Sequence, residues 1–103
     1  MVSIQEIQDY ANKIAERFRP EKIILFGSYA NGQPTEDSDV DLFVVMDHEG
    51  KGWEKAAEIS LDVEAPFAMD LLIRKRADLQ RYIKLGDPFY REVAQHGVVL
   101  YEG

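Results

Sequence analysis

The run KIILFG, residues 22–27, constrains the fold more than any other part of the sequence. It is short, apolar from Ile23 to Phe26 without alternation, and stopped by a glycine. Such a run reads as a strand buried on both faces, the kind found in sheets covered by helices on either side. DVDLFVVM (39–46) and FAMDLLIR (67–74) read as a second and third strand, and VVLYEG (98–103) as a short closing one.

The segments between them carry helical signals. Ser3 and Glu6 make a capping box before Ile4, Ile7, Ala11, Ile14 and Phe18, which recur at spacings of three and four and predict an amphipathic helix ending near Arg19-Pro20. Trp53 to Asp62 form a second helix with Trp53, Ala56, Ala57 and Leu61 turned inward, ended by Glu64 to Pro66. ADLQRYIKLG and DPFYREVAQHG are two more; in the latter Asp87 is the N-cap, Pro88 the first helical residue and Gly97 the C-cap. The expected order is α-β-β-α-β-α-α-β, an α/β (α+β) fold with a mixed sheet and one domain spanning residues 1–103.

Composition narrows the partners. The net charge of −7 is uneven: residues 1–73 hold 6 Lys/Arg against 15 Asp/Glu, and residues 74–103 hold 6 against 4, a balance of −9 and +2. That disfavours general binding to a nucleic-acid backbone, which relies on a net basic surface. The basic cluster Arg74, Lys75, Arg76, Arg81 and Lys84 suits a phosphorylated ligand, an acidic partner or plain solvation of a helix face. No apolar run approaches the ~20 residues of a membrane helix, and MVSIQEIQDY lacks the basic start and apolar core of a signal peptide. With no cysteine there is no disulfide and no thiolate metal site, so the default expectation is a cytoplasmic address.

Three aspartates interrupt the apolar strands. Residues i and i+2 of a strand share a face, so Asp39 and Asp41 project together, with Cα atoms ~6.6 Å apart. Two unit charges 4 Å apart repel by ~4 kcal/mol at an intermediate dielectric, and a cation is the natural compensation. Asp70 repeats the pattern, with Ala68 and Leu72 on its face and Met69, Leu71 and Ile73 on the other; an unpaired charge buried among them would be costly. If the third strand pairs beside the second, the three acids form one cluster. Oxygen ligands without His or Cys favour Mg²⁺ or Mn²⁺ over zinc. For Asp39 alone, at a strand start, a turn acid is an equal reading. A calcium loop is excluded, because Leu42 takes the place of its glycine and His48 of its last glutamate.

Gly27-Ser28, at the end of the first strand, lets a ligand approach the backbone and offers it a hydroxyl and an N–H. Taken alone the pair is a turn; ahead of a helix starting at Tyr29 to Asn31 it is a small phosphate cradle. No Walker-type loop or dinucleotide fingerprint supplies another phosphate site. His48 and His96 sit at element ends as surface or capping groups, and Trp53, Phe67, Phe89 and Tyr90 belong either to the core or to a partner face, with the core as the default.

The stretch FGSYANGQPTEDSDVDLFVV resembles the signature of the nucleotidyltransferase superfamily that shares the DNA polymerase β palm: a strand ending in Gly-Ser, a second glycine, then Ser-Asp-x-Asp-Leu. Gly27, Ser28, Gly32, Ser38, Asp39, Asp41 and Leu42 carry the match over about a fifth of the chain, and Asp70 falls where the third carboxylate belongs. Within the superfamily the chain looks like a minimal nucleotidyltransferase (MNT) domain, of the kind encoded beside a helical HEPN protein. The resemblance implies that Asp39 and Asp41 bridge two Mg²⁺ ions, that Asp70 binds the one activating an acceptor hydroxyl, and that Gly27 and Ser28, with Gly32 and Ser38 in the same nucleotide site, hold the phosphates of ATP. It implies in-line transfer of AMP with pyrophosphate leaving. It also implies a HEPN ribonuclease toxin as partner, neutralised by masking, by AMP transfer to a tyrosine, or by both.

Many active relatives carry arginine before the second glycine, where this chain has Asn31, so a positive charge near the triphosphate is missing. Three readings follow: a protein adenylyltransferase antitoxin, an inactive module that neutralises its partner by binding, and a subunit that modifies a small alcohol of the aminoglycoside type. Residues after Asp70 suffice only for two helices and an edge strand, so the acceptor is expected to come from another chain.

Overall fold

A computed structural model describes residues 1–103. Its elements in order are α1 (Ile4–Phe18), β1 (Lys22–Phe26), α2 (Ser28–Asn31), β2 (Val40–Val45), α3 (Gly52–Asp62), β3 (Met69–Arg74), α4 (Arg76–Lys84), α5 (Pro88–His96) and β4 (Val98–Glu102). The strands form one mixed sheet in the order β3-β2-β1-β4. β1 is antiparallel to both β2 and β4, while β3 runs parallel to β2, with α3 as the crossover that a parallel pair requires. No helix is long and apolar enough to cross a membrane.

The two central strands, β1 and β2, are covered on both sides, as KIILFG requires, while the edge strand β4 leaves Val98 and Val99 exposed. Ile23, Leu25, Val40, Leu42, Val44 and Ile73 pack under α1 and α3 in the larger cluster. Ile24, Phe43 and Val45 face Val93 of α5, with Phe26, Leu72, Leu79 and Tyr90 packed around them. Burying side chains of this size contributes roughly 1.5–3 kcal/mol each, and this two-sided burial is the main favourable term holding the sheet in place.

Helix ends follow local chemistry. Ser3 Oγ accepts the Glu6 N–H and Glu6 Oε1 accepts the Ser3 N–H, both at 3.1 Å, so α1 starts on the expected capping box. It stops at Arg19, whose N–H still donates to the Ala15 carbonyl at 3.0 Å and whose left-handed φ of 47° turns the following chain out of the helix. Asp87 caps α5, accepting from the Phe89 and Tyr90 N–H groups at 2.9 and 3.2 Å.

Several expectations need correction. Ile4 is exposed; Tyr10 and Ala15 join Ile7, Ala11 and Ile14 on the inward side of α1, and Val2 fastens the chain start by donating its N–H to the Tyr29 hydroxyl at 3.2 Å. Trp53, Ala57 and Leu61 point outward, with Trp53 69% and Leu61 82% exposed. The inward side of α3 carries Gly52, Ala56 and Ile59, continued by Val63 just past its end. Gly52 explains this rotation: a Cβ there would lie 2.7 Å from the Ile73 carbonyl oxygen, so the helix start rests directly on the backbone of β3. β2 begins at Val40, leaving Asp39 just ahead of it, and β3 begins at Met69 rather than Phe67, which packs edge-on against Tyr10 at 5.6 Å.

Candidate active site

The sheet register brings the acids together. In the antiparallel pairing Phe26 stands opposite Asp41, and in the parallel pairing Asp41 stands opposite Asp70. Directly paired residues share a face and neighbouring strands lie about 4.8 Å apart, so Phe26, Asp41 and Asp70 form one row across β1, β2 and β3. The row faces the α5 side, as Phe43 and Leu72 of the neighbouring row show.

Burial differs along the row. Asp41 is half-buried in the second strand of the sheet, while Asp70 and Asp39 are exposed. The expectation that Asp70 is buried among apolar neighbours is therefore corrected: β3 is an edge strand and Asp70 is its second residue, where the helices give little cover. The Asp41 carboxyl is pushed above the ordinary aspartate range, first by burial, then by the negative charges of Asp70 and Asp39, then by the hydrogen bond its protonated form makes to Asp70. Repulsion of this kind is what a bound cation relieves.

Gly27 completes the contact. Its φ of 75° and ψ of −153° lie in a region open to glycine, and a Cβ there would lie 2.2 Å from Asp41 Oδ2. The turn then enters α2, whose first bonds run from the Ala30 and Asn31 N–H groups to the Gly27 carbonyl at 3.1 and 3.0 Å. The N–H groups of Ser28 and Tyr29 are left outside that bonding, and the Ser28 hydroxyl makes no hydrogen bond within the chain.

The other candidate residues have local duties. Gly32 closes α2 in the left-handed conformation, with open space around it, and donates its N–H to the Ser28 carbonyl. Ser38 clamps the loop that delivers Asp39, its Oγ accepting the Thr35 N–H at 2.9 Å and its N–H donating to the Thr35 carbonyl at 3.1 Å. Asn31 is exposed at the end of α2. His48 lies beyond the end of β2 remote from Asp41, and neither it nor His96 joins the row. Phe26 carries no site signal in the sequence beyond its place before Gly27. It packs edge-on against Phe43 and Phe89, at 6.4 and 5.4 Å between ring centres.

No three acidic or histidine side chains close into a metal-binding group on their own. The paired oxygens of Asp41 and Asp70 still fit Mg²⁺, which is held by one or two carboxylates together with waters and substrate phosphates. Asp39 and Asp70 are open to solvent and Asp41 is half-buried between them; separate grooves run along α4 and around Arg19, Lys75 and Arg76.

A mixed sheet that sets two aspartates abreast beside a Gly-Ser turn defines a nucleotidyltransferase fold of the polymerase β palm class. Residues 5–103 match the family model described as "Polymerase beta, Nucleotidyltransferase". An inferred protein adenylyltransferase of Methanocaldococcus jannaschii is 30% identical over 105 residues, covering 92% of this chain and 94% of that one. The protein adenylyltransferase MntA of Thermococcus cleftensis is 30% identical over 83 residues, 77% of each chain. A crystal structure of a toxin–antitoxin with AMP-PNP contains a similar fold, with a TM-score of 0.60 at 22% identity over 93% of this chain and 73% of that one. The chain belongs to the polymerase β-type nucleotidyltransferase family, among its MNT-type members.

Proposed function

We propose that the chain transfers AMP from ATP to a hydroxyl of a partner protein, and acts by that transfer as the antitoxin of a toxin–antitoxin pair. The observation that carries the reading is the Asp41–Asp70 row with Gly27 pressed against Asp41. The names of the similar chains, protein adenylyltransferase and toxin–antitoxin, support it.

Each residue has a task in this reading. The turn at Gly27 and Ser28 receives the outer phosphates through its free N–H groups and the Ser28 hydroxyl. Asp41 faces the α-phosphate, with Asp39 at the loop side. Asp70, exposed on its edge strand, is the carboxylate an incoming hydroxyl reaches, and it accepts that hydroxyl's hydrogen bond. The acceptor oxygen bonds to the α-phosphorus, its proton passing to Asp70, as the bond from that phosphorus to the bridging oxygen breaks and pyrophosphate leaves with the electron pair. Mg²⁺ held by Asp39, Asp41 and Asp70 would neutralise charge on the phosphates.

The open setting of the acids supports a macromolecular acceptor. A small alcohol is usually held in a concave pocket, whereas Asp70 is exposed on an edge strand that a partner's surface can reach. The partner we assign is a HEPN ribonuclease, modified on a tyrosine. A second reading, neutralisation by binding alone, draws on Asn31, which leaves α2 without a cation beside the phosphate turn.

The test is incubation with α-labelled ATP, Mg²⁺ and the protein encoded next to this one, beside an Asp39→Asn/Asp41→Asn variant. Label on the neighbour that vanishes with the variant supports AMP transfer. Neutralisation of the neighbour by both forms, without label, replaces transfer with binding. Label on an added aminoglycoside and none on the neighbour would assign the small-alcohol reaction instead.

A further inference from the structure

Two helix faces that nucleotide transfer does not use are matched to each other. On α3, Trp53, Ala57 and Leu61 follow one another every four residues along the outward side, and all three are exposed. Beside them runs a parallel row of acids, Glu54, Glu58 and Asp62. Glu58 is bridged to Lys55 and Asp62 to Arg17, while Glu54 makes no ion pair but accepts the Lys51 N–H at 2.9 Å through one carboxylate oxygen, leaving the other for a cation.

On α4 the same spacing carries the opposite charge. Ala77, Arg81 and Leu85, the last being the C-cap and 69% exposed, form a stripe along an open, shallow face of the helix that Gln80, Ile83 and Lys84 also line. Arg81 and Lys84 form no ion pair within the chain; Arg81 lies over the Tyr82 ring at 5.8 Å. Both stripes run over nine residues, eight steps and about 12 Å along the axis. One offers apolar groups edged by acids, the other Ala77 and Leu85 on either side of Arg81 with Lys84 beside them.

We infer that copies of this chain associate head to tail, the Trp53–Ala57–Leu61 stripe of one seating on the Ala77–Arg81–Leu85 face of the next. The pairing removes Trp53, Leu61 and Leu85 from water and places Arg81 and Lys84 against Glu54 and Glu58, so apolar burial and charge favour the same register. The geometry makes it heterologous. α3 shares a core with α1 through Ile59, whereas α4 lies with α5 on the other face of the sheet through Leu79, so one copy presents its two patches in opposite directions. Every joined copy leaves one patch of each kind free for growth or ring closure. A contact of one helix on one helix is below the size of a permanent interface, so the assembly depends on concentration. The inference does not rest on AMP transfer, since neither patch includes Asp39, Asp41 or Asp70.

Sedimentation velocity on the whole chain, from about 10 μM to about 1 mM at low and high salt, tests it. The weight-average mass should rise with concentration and fall as salt screens the charges. Leu61→Asp and Leu85→Asp place a charge on exposed positions, and circular dichroism checks that both variants stay folded. Each alone should be monomeric, because each has lost one half of the contact. Mixed in equal amounts they should form a two-chain complex and nothing larger, since one retains the α4 face and the other the α3 stripe. A wild-type chain that stays monomeric throughout, a variant that still associates alone, or a mixture that stays monomeric overturns the inference. So does burial of the α3 stripe only on adding the genomic-neighbour protein, which would make that protein the occupant.

Discussion

A Cβ on Gly27 would lie 2.2 Å from Asp41 Oδ2, so the end of β1 and the central acid of β2 compete for one space that only a glycine leaves free. The backbone there, at φ 75° and ψ −153°, costs a non-glycine residue on the order of 1–3 kcal/mol before any overlap is counted. Gly27→Ala should therefore lower the thermal midpoint and push the Asp41 carboxylate out of the row. Calorimetric titration with ATP and Mg²⁺ should show lost binding; an unchanged affinity would mean that the turn and the acid are not coupled.

Asp41 makes stability depend on pH in a defined direction. Its carboxyl is raised in the folded chain, so the folded state holds that proton more tightly than the unfolded state does. The stabilisation is fully present below the ordinary aspartate value and is lost as the pH rises through the raised one. At neutral pH the ionised group repels Asp70 and Asp39, and Asp41→Asn should melt at a higher temperature than wild type. The advantage should vanish on acidification below the ordinary aspartate range. Melting curves of the two proteins across pH check this, and a variant less stable at neutral pH would contradict it.

The rotation of α3 sets up a paired comparison. Ile59 is fully buried, so Ile59→Ala should cost about 2–5 kcal/mol. Trp53→Ala and Leu61→Ala, measured at low concentration where copies do not meet, should stay within about 0.5 kcal/mol of wild type. Urea unfolding separates the cases; a large loss at Trp53 would place that ring in the core.

The contrast between these sites shows which features were legible in the sequence. The shared face of Asp39 and Asp41 follows from the two-residue period of a strand, and the capping box of α1 and the Asp87 cap of α5 are local chemistry. The facing of α3 is not local. Trp53, Ala56, Ala57 and Leu61 make a plausible apolar stripe, while the residue that turns the helix, Gly52, has no side chain and acts through a contact with Ile73 some twenty residues later. Asp70 was recognisable as an acid out of place, but its exposure depends on β3 being an edge, a property of sheet order that no window of sequence carries. Phe26 carries no such mark, because a phenylalanine in an apolar strand reads as core until the register sets it beside Asp41.

The incomplete closure of the carboxylates leads to the last prediction. No three acidic side chains converge in the chain by itself, and Asp41 and Asp70 are the pair that the sheet sets abreast. A divalent ion held by two carboxylates takes its remaining ligands from water and phosphate. Cation and nucleotide should then bind as a coupled pair, each tightening the other by the same factor. ATP affinity measured in Mg²⁺ should exceed that in EDTA by at least about tenfold, ~1.4 kcal/mol. In Asp41→Asn/Asp70→Asn the two affinities should converge, because the side of the coupling that the protein supplies is gone. Equal affinities in the wild type would instead assign nucleotide binding to the Gly27-Ser28 turn alone, with the carboxylates taking no part in it.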